Sequence, residues 1–235
     1  GWDGGNRTVT VNGTGLVDKL VGSSQADVIN GGAGNDSLFG GDGADQLNGC
    51  AGTDTVGYSG AVTGVVASLA NAAINTGFAA GDIYSSIENI TGTKFSDSVY
   101  GNKGANVVNG GAGNDTIKGY NGNDVLTGGA GNDNFVFGTA PNAGANVETI
   151  TDFSVPNATI SLDDFFFTAL GAPGVLAAGA FYTGTAAHDS SDRIIYNAGT
   201  GALSYDADGT SGVAAILIAV LNAALGLTNA DFAVI

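Results

Sequence analysis

The hexapeptide Gly-Gly-Ala-Gly-Asn-Asp occurs three times in this chain, at Gly31–Asp36, Gly110–Asp115 and Gly128–Asp133. Each copy belongs to a nine-residue unit with glycine at position 1, an acidic residue at position 6 and an apolar residue at position 8. Six units run in phase from Gly4, the last five with aspartate at position 6, and five more run in phase from Gly92. Such a fixed period is the sequence signature of a repeat architecture.

The nine-residue period has a physical interpretation. Glycine tolerates positive φ, so each glycine-rich stretch can form a tight turn. The three residues after the acid form a short strand in which the apolar residue points inward and its neighbours point outward. One unit cannot bury its single apolar residue alone, but stacked units can, with two units per coil. The period therefore predicts an all-β fold: a parallel β-roll or β-helix solenoid in two blocks, with a β-rich C-terminal capping region.

Stacking brings the repeated acids together along each edge of the coil, at the inter-strand spacing of ~4.8 Å. Carboxylates at that distance repel one another strongly where water is scarce. A hard cation with oxygen ligands removes the conflict, and Ca²⁺ takes about 6–8 oxygens in irregular geometry, whereas Mg²⁺ demands a stricter octahedron. No histidine or cysteine recurs in phase, so zinc and other metals that prefer soft ligands lack donors. The expected cofactor is Ca²⁺.

This pattern resembles the nonapeptide repeats of the RTX, or hemolysin-type, calcium-binding family. The resemblance implies that each ion lies between acids eighteen residues apart, with main-chain carbonyls completing the shell, and about four to seven ions in all. The paired side chains would be Asp18 with Asp36, Asp27 with Asp45, Asp36 with Asp54, Asp97 with Asp115, Asn106 with Asp124, and Asp115 with Asp133. The carbonyls would be those of Gly31, Ala33, Gly40, Asp42, Gly110, Ala112, Gly119, Asn121, Gly128 and Ala130.

Departures from the repeat pattern indicate which of these calcium sites should be weaker. Several units lack inner glycines, Cys50 and Tyr120 replace the second glycine, and Asn106 is a neutral ligand. The strongest sites are expected between Gly31 and Asp54 and between Gly110 and Asp133. The pair Asp115 and Asp133 ranks first because it joins two unaltered hexapeptides.

The period divides the chain into four expected segments. Residues 1–57 form a first RTX block, 58–91 an inter-block insert, 92–137 a second RTX block, and 138–235 a C-terminal cap and secretion-signal region. The insert should contain a strand or hairpin, a loop and a return in which Ile87 and Ile90 pack. Glu88 falls near the place of a repeat aspartate but is assigned no site.

The C-terminal region predicts more β-structure. Ile150, Phe153, Ile160 and Leu162 keep a strand-like spacing, so the coil should continue there without calcium. The pair Asp163-Asp164 is interpreted as a helix N-cap followed by a docking face at residues 165–167. The stretch RIIYNAGTGALSYD predicts a hairpin, DADGTSG a turn instead of a calcium loop, and residues 213–221 a strand or short helix.

The last residues, TNADFAVI, resemble the uncleaved C-terminal signal of RTX proteins exported by type I systems. The type I machinery is therefore an expected partner, and the expected location is outside a Gram-negative-type bacterium. There is no basic and then apolar stretch near Gly1, and the longest apolar run is too short for a membrane span. The chain starts without Met, so a fragment or processed product of a larger protein is expected.

Composition excludes several function classes. The formal charge of −16, from 22 acids against 6 basic residues, disfavours nucleic acid and anionic membranes. One cysteine permits no internal disulfide. The single histidine, His188, lies in a polar run and is interpreted as solvated, and no nucleophile or phosphate-loop motif occurs, so we expect no catalytic site in this chain.

Three functional hypotheses remain. The first is a calcium-binding RTX module that folds outside the cell and carries the type I signal of a larger exported protein. The second is a surface-attachment, adhesin or surface-layer module that binds glycan or associates with itself, with Tyr58, Tyr84, Tyr100 and Tyr120 as candidate contacts. The third is the accessory C-terminal part of a secreted protease, lipase or polysaccharide-modifying enzyme whose catalytic domain lies upstream.

Overall fold

The computed structural model describes residues 8–155, 157–210 and 212–235. These residues form short strands joined by turns, with four three-residue 3-10 helices at Ala72–Ile74, Gly77–Ala79, Ala178–Ala180 and Asn229–Asp231. Through the repeats the strands are β1 (Thr10–Asn12), β2 (Lys19–Val21), β3 (Val28–Ala33), β4 (Ser37–Phe39), β5 (Gln46–Ala51), β6 (Thr55–Gly57), β7 (Val66–Ser68), β8 (Ile83–Ser85), β9 (Asn89–Thr91), β10 (Ser98–Tyr100), β11 (Val107–Ala112), β12 (Thr116–Lys118), β13 (Val125–Ala130) and β14 (Asn134–Phe137).

The remaining strands lie in the C-terminal region. They are β15 (Glu148–Ile150), β16 (Thr159–Leu162), β17 (Gly174–Val175), β18 (Phe181–Thr183), β19 (Ile194–Asn197), β20 (Ala202–Tyr205), β21 (Ile216–Val220) and β22 (Phe232–Val234).

The strands of the repeats alternate between two faces of the roll. Within each run of repeats, a strand pairs in parallel with the strand two places later, on the same face. Val11 stands opposite Ile29 and Leu20 opposite Leu38, an offset of eighteen residues per coil. One face is an eleven-stranded sheet, and the other face is divided into a four-stranded and a seven-stranded sheet. The predicted all-β parallel roll is confirmed.

The segment between the repeat runs affects the two faces differently. On the continuous face, β9 pairs with β6 on one side and with β11 on the other. On the other face, β8 pairs with β5 and β7 pairs with β10, and the sheet order ends at each of them. An antiparallel bridge from Thr76 to Val66 covers the edge of β7. Strand pairing on one face thus passes through the insert without interruption.

The core is a ladder of the position-8 residues, which lie between the two faces of the roll. Val11 and Leu20 in the first coil are partly buried. The other nine are 0–1% exposed: Ile29, Leu38, Leu47, Val56, Val99, Val108, Ile117, Leu126 and Phe135. The insert contributes Ile87 and Ile90 to the same core, as predicted. Burial of these aliphatic side chains, each worth roughly 1.5–3 kcal/mol, holds the coils together.

The C-terminal region closes the far end of the roll. Strands β15 and β16 add one further coil, which confirms that the winding continues past Phe135. The predicted hairpin is β19 and β20, and β21 pairs with both β20 and β15. The last strand, β22, pairs in parallel with β16 and antiparallel with β17.

Two segments of the C-terminal region were predicted to form a helix and a turn. The helix predicted after Asp163 is wrong: residues 163–170 form turns and bends, with Asp163 Oδ1 accepting the amide of Phe165 at 3.1 Å. Phe167 is buried, but Phe165 is 77% exposed, so only part of the expected face docks. The described part of the DADGTSG stretch bends as the predicted turn requires, with Asp206 Oδ1 accepting the amides of Asp208 and Gly209, and Ser211 lies outside the described residues. Among the described residues, no helix has the length and apolarity needed to cross a membrane.

Candidate metal centre

Position 1 of each unit needs glycine because oxygen atoms occupy the place of a side chain. A Cβ placed on Gly31 would lie 2.5 Å from Asp36 Oδ2 and 2.6 Å from the carbonyl oxygen of Gly49. A Cβ on Gly110 would likewise lie under 3.0 Å from Asp115 Oδ2 and from Gly128 O. The repeated glycine therefore leaves a cradle into which a carboxylate of its own unit and a carbonyl of the next coil converge.

Position 2 adopts positive φ in the glycine-rich turns. Gly32, Gly41 and Gly111 have φ of 106°, 105° and 109°, which costs glycine little. The two residues that replace this glycine adopt the same conformation, Cys50 at 72° and Tyr120 at 75°. Turn geometry is thus kept despite backbone strain of the order of 1–3 kcal/mol per residue.

The position-6 acids form columns along the edges of the roll. In each column one carboxylate oxygen accepts the backbone amide of the residue one coil earlier, and this joins all six side-chain pairs predicted from the sequence. The bonds run from the amides of Asp18, Asp27, Asp36, Asp97, Asn106 and Asp115 to Oδ1 of Asp36, Asp45, Asp54, Asp115, Asp124 and Asp133, at 2.7–3.0 Å.

The second carboxylate oxygen of many of these acids has no hydrogen-bond partner. Buried Oδ2 atoms without a partner belong to Asp36, Asp45, Asp54, Asp115 and Asp124. A buried carboxylate oxygen that lacks any donor is costly, since its desolvation is not compensated. These oxygens need a cation or a proton.

Other units satisfy this oxygen locally. The hydroxyl and amide of Thr14 donate to Asp18 Oδ2, and those of Ser23 donate to Asp27 Oδ2. These are units without glycine at position 2, where the side chain and the amide point at the acid. The columns therefore contain two kinds of turn: open turns, with a positive-φ residue at position 2 and an unpartnered Oδ2, and closed turns, whose acid is hydrogen-bonded within the unit.

The predicted carbonyl ligands fall into two groups. Those of position 1 lie beside a carboxylate or amide oxygen of the preceding coil, namely Gly31, Gly40, Gly110, Gly119 and Gly128. Of the position-3 carbonyls, that of Ala130 accepts the amide of Gly113 at 2.7 Å. Ligation by either group stays a prediction, and so does ligation by Ala33, Asp42, Ala112, Asn121 and Ala130 in particular.

Burial shifts the acids of the columns toward the protonated form. Desolvation raises the pKa of Asp115 and of Asp124 to about 6, and it raises the pKa of Asp45, Asp54 and Asp133 as well. Neighbouring carboxylates add to the effect, as Asp97 and Asp133 do for Asp115. Without a cation, these groups carry their charge at a cost.

Four further acids join the columns outside the predicted set. Asp82, Glu88 and Glu148 accept the amides of Asp45, Asp54 and Asp124, and Asp152 accepts those of Gly128 and Gly129. Insertions between the coils displace these acids from the nine-residue count. Three of them could have been recognised from the local sequence. Asp82, Glu88 and Glu148 each precede, by two residues, a side chain on the inward side of a strand, as the position-6 acids do.

Two of these acids close a column. Asp82 is hydrogen-bonded by the Tyr58 hydroxyl at 2.8 Å, and burial raises its pKa to about 7. Burial and the adjacent Asp124 carboxylate raise the pKa of Glu148 to about 9, and its Oε2 accepts the amide of Asp124. Burial thus favours the protonated form of the acid at the end of each column.

Two of the candidate contact residues belong to the columns: Tyr58 donates to Asp82, and Tyr120 holds position 2 of the turn that ends in Asp124. Tyr58 is buried and hydrogen-bonded to Tyr84, so these two form no outer platform. Tyr100 and Tyr120 meet edge to face, with Lys118 above Tyr120. His188 is 65% exposed and stands 3.4 Å from Asp189. Asp192 completes an acidic group there, but its Oδ2 accepts the amides of His188 and Asp189 and so fixes a turn.

The donor set of the open turns fits calcium. It consists of carboxylate and carbonyl oxygens, the ligands that Ca²⁺ prefers. No donor contacts the Asp36 Oδ2 that converges on Gly31 or the Asp115 Oδ2 that converges on Gly110, and a cation would satisfy these oxygens. In the described columns only oxygen donors converge in this way.

The comparison with protein families agrees with this site. A family model described as the RTX calcium-binding nonapeptide repeat (4 copies) matches residues 12–56, 84–117 and 100–135. A solved structure, the solution structure of the AlgE6R3 subunit from the Azotobacter vinelandii mannuronan C5-epimerase, is similar at 19% sequence identity and a TM-score of 0.25. The match covers 98% of this chain and 84% of that chain. No curated protein sequence matches this one.

Proposed function

We propose that this chain, a member of the RTX family of calcium-binding repeat proteins, is a module that folds when Ca²⁺ binds outside the cell. It would carry the C-terminal type I secretion signal of a larger exported protein. RTX repeats are typical of exported bacterial proteins, which supports this location.

The observation that carries the proposal is the set of buried Oδ2 atoms without partners. In the folded, metal-free chain these carboxylates are desolvated, close to one another and uncompensated. In the unfolded chain they are hydrated and far apart. The metal-free fold is therefore disfavoured, and a ligand that binds only the folded state favours folding.

Calcium concentration would decide between the two states. Extracellular calcium modules bind at about 10⁻⁴–10⁻³ M, so their sites would be empty at the calcium concentration of the cytosol. At a free calcium concentration ten times Kd, each independent site adds ~1.4 kcal/mol to stability. Several sites in a column would together add an amount comparable with the stability of a whole domain.

The position of the C-terminus supports a coupling between export and folding. The residues that resemble a secretion signal form a 3-10 helix with a Thr228–Asp231 capping box, followed by β22. Phe232 and Val234 are buried against β16. We propose that the export machinery reads this segment while the chain is unfolded, and that folding then buries it.

Circular dichroism tests the folding proposal. The chain should be disordered in a chelator and rich in β-structure in millimolar Ca²⁺, with Mg²⁺ at the same concentration much less effective. A chain that is fully folded in chelator would contradict the proposal. Export is tested separately, by fusing residues 138–235 to a reporter protein and comparing secretion with and without residues 231–235.

Surface attachment is the second candidate function. It is supported by two groups on the outer faces: Tyr100, Tyr120 and Lys118, and a cleft of about 200 Å³ whose lining includes Lys19, Phe39 and Phe78. Lys19 stands 5.0 Å from the centre of the Phe39 ring. Binding to a glycan array that is lost in a Phe39→Ala variant would favour this role, and calcium-driven self-association would be a separate outcome.

A further inference from the structure

We propose that the insert supplies a calcium site which the nonapeptide pattern does not mark, formed by the carboxylates of Asp54 and Glu88 and the carbonyl oxygen of Ser86. The inference rests on the proposed function, namely that the open turns bind calcium. It places an additional ion between β6 and β9, where the two repeat runs meet on the continuous face.

Asp54 provides the buried oxygen. Its side chain is 0% exposed, and its Oδ1 accepts the amide of Asp36 at 2.7 Å. Its Oδ2 is buried and has no hydrogen-bond partner. One oxygen of this carboxylate therefore has a hydrogen-bond donor and the other has none. The same holds for Asp36, one coil earlier.

Ser86 provides the converging carbonyl. A Cβ placed on Gly49 would lie closer than 3.0 Å to both Asp54 Oδ2 and Ser86 O. The same two atom types converge at Gly31, where Asp36 Oδ2 meets the carbonyl of Gly49. Ser86 follows the residue opposite Asn48 and so holds the place of Gly49 one coil on, where it adopts the left-handed conformation with a φ of 50°.

Glu88 provides the second carboxylate. Asn89 stands opposite Thr55 in the sheet, so Glu88 holds the position-6 place opposite Asp54. Its Oε2 accepts the amide of Asp54 at 2.9 Å, as the Oδ1 of an aspartate does in the regular coils. Among the described residues no donor contacts Oε1, which leaves this oxygen for a cation.

Asp82 shows what a closed site looks like in the same insert. Its Oδ1 accepts the amide of Asp45 at 2.9 Å, and its Oδ2 accepts the hydroxyl of Tyr58 at 2.8 Å. Both oxygens are therefore satisfied by hydrogen atoms, and the acid needs no ion. The insert thus ends one column of acids and continues the other.

The test is a count of bound calcium on the full chain by native mass spectrometry and equilibrium dialysis. Glu88→Gln removes the charge but keeps an oxygen that can accept the Asp54 amide. Asp82→Asn is the matched control. Glu88→Gln should bind one ion fewer than the wild-type chain, or bind one ion at least tenfold more weakly, whereas Asp82→Asn should bind as many ions as the wild type.

Several results would overturn the inference. One is a number of bound calcium ions and an affinity in Glu88→Gln that equal those of the wild type. Another is an equal loss of bound calcium in Glu88→Gln and Asp82→Asn, which would indicate that both changes disturb the packing of the insert. If Glu88→Gln does not fold, crystals of the calcium-loaded wild type decide through an anomalous calcium peak between Asp54 and Ser86, and no peak there overturns the site. A wild-type chain that binds no calcium would instead refute the proposed function itself.

Discussion

Asp115 Oδ1 accepts the backbone amide of Asp97 at 2.8 Å across one coil, while its Oδ2 is buried without a partner. One carboxylate therefore does two things. One oxygen fixes the register between coils, and the other requires a positive charge that only the assembled coil can surround. Under the proposed function, folding of the roll and binding of a cation would be coupled through this one side chain.

Lowering the pH should partly replace calcium. Burial raises the pKa of Asp115 and Asp124 to about 6, above the ~3.9 of an unfolded aspartate. A raised folded-state pKa means that this contribution to stability is complete below about pH 4 and is lost as the pH rises through about 6. The chain in chelator should therefore have more β-structure at pH 5 than at pH 7.5, measured by circular dichroism. Equal or greater β-structure at pH 7.5 would contradict this assignment.

Filling one glycine cradle should weaken the roll. In Gly31→Ala the new methyl group would meet Asp36 Oδ2 and Gly49 O, at 2.5 and 2.6 Å. We expect a loss of about 1–3 kcal/mol in calcium, as for other overpacked sites, and weaker calcium binding. Gly60→Ala is the control, since no atom lies within 4 Å of its Cβ position. Equal unfolding midpoints for the two variants would disprove the role of the cradle.

Neutralising Asp115 should have opposite effects in calcium and in chelator. Asp115→Asn keeps an acceptor for the Asp97 amide but removes a buried charge. Calcium affinity should fall at least tenfold for the adjoining ion, equivalent to ~1.4 kcal/mol, while the metal-free chain should become equally or more stable. Asp164→Asn changes the net charge equally and lies outside the columns. A variant that is less stable in chelator would show that the charge itself supports the fold.

The C-terminal strand should stabilise the cap without holding calcium. Phe232 is 1% exposed and packs against Phe181, so Phe232→Ala should cost about 3–5 kcal/mol. Ile235 is 48% exposed, and Ile235→Ala should change stability by about 0.5 kcal/mol or less. Thermal unfolding in calcium measures both. The number of bound ions should stay the same in the two variants, and fewer ions in Phe232→Ala would show that the cap supports the columns.

Much of the fold was predictable because the nine-residue period specifies the strands and the turns between them. A glycine at position 1, an acid at position 6 and an apolar residue at position 8 predicted which side chains face the core and which acids pair. Pairing of Asp36 with Asp54, and of Asp115 with Asp133, follows from an eighteen-residue coil and needs no further information. The hairpin at β19 and β20 was likewise signalled by its own local sequence.

The roll, its core ladder and the repeated acid columns follow from the amino-acid order alone, since they depend on spacing within and between adjacent coils. Which acids are satisfied without a cation depends on contacts made in three dimensions. The Thr14 and Ser23 hydroxyls close their own turns, Tyr58 closes the column at Asp82, and Glu88 continues the other column. Their partners are set by sheet pairing across segments of irregular length, and a count of residues along the chain cannot reproduce that pairing.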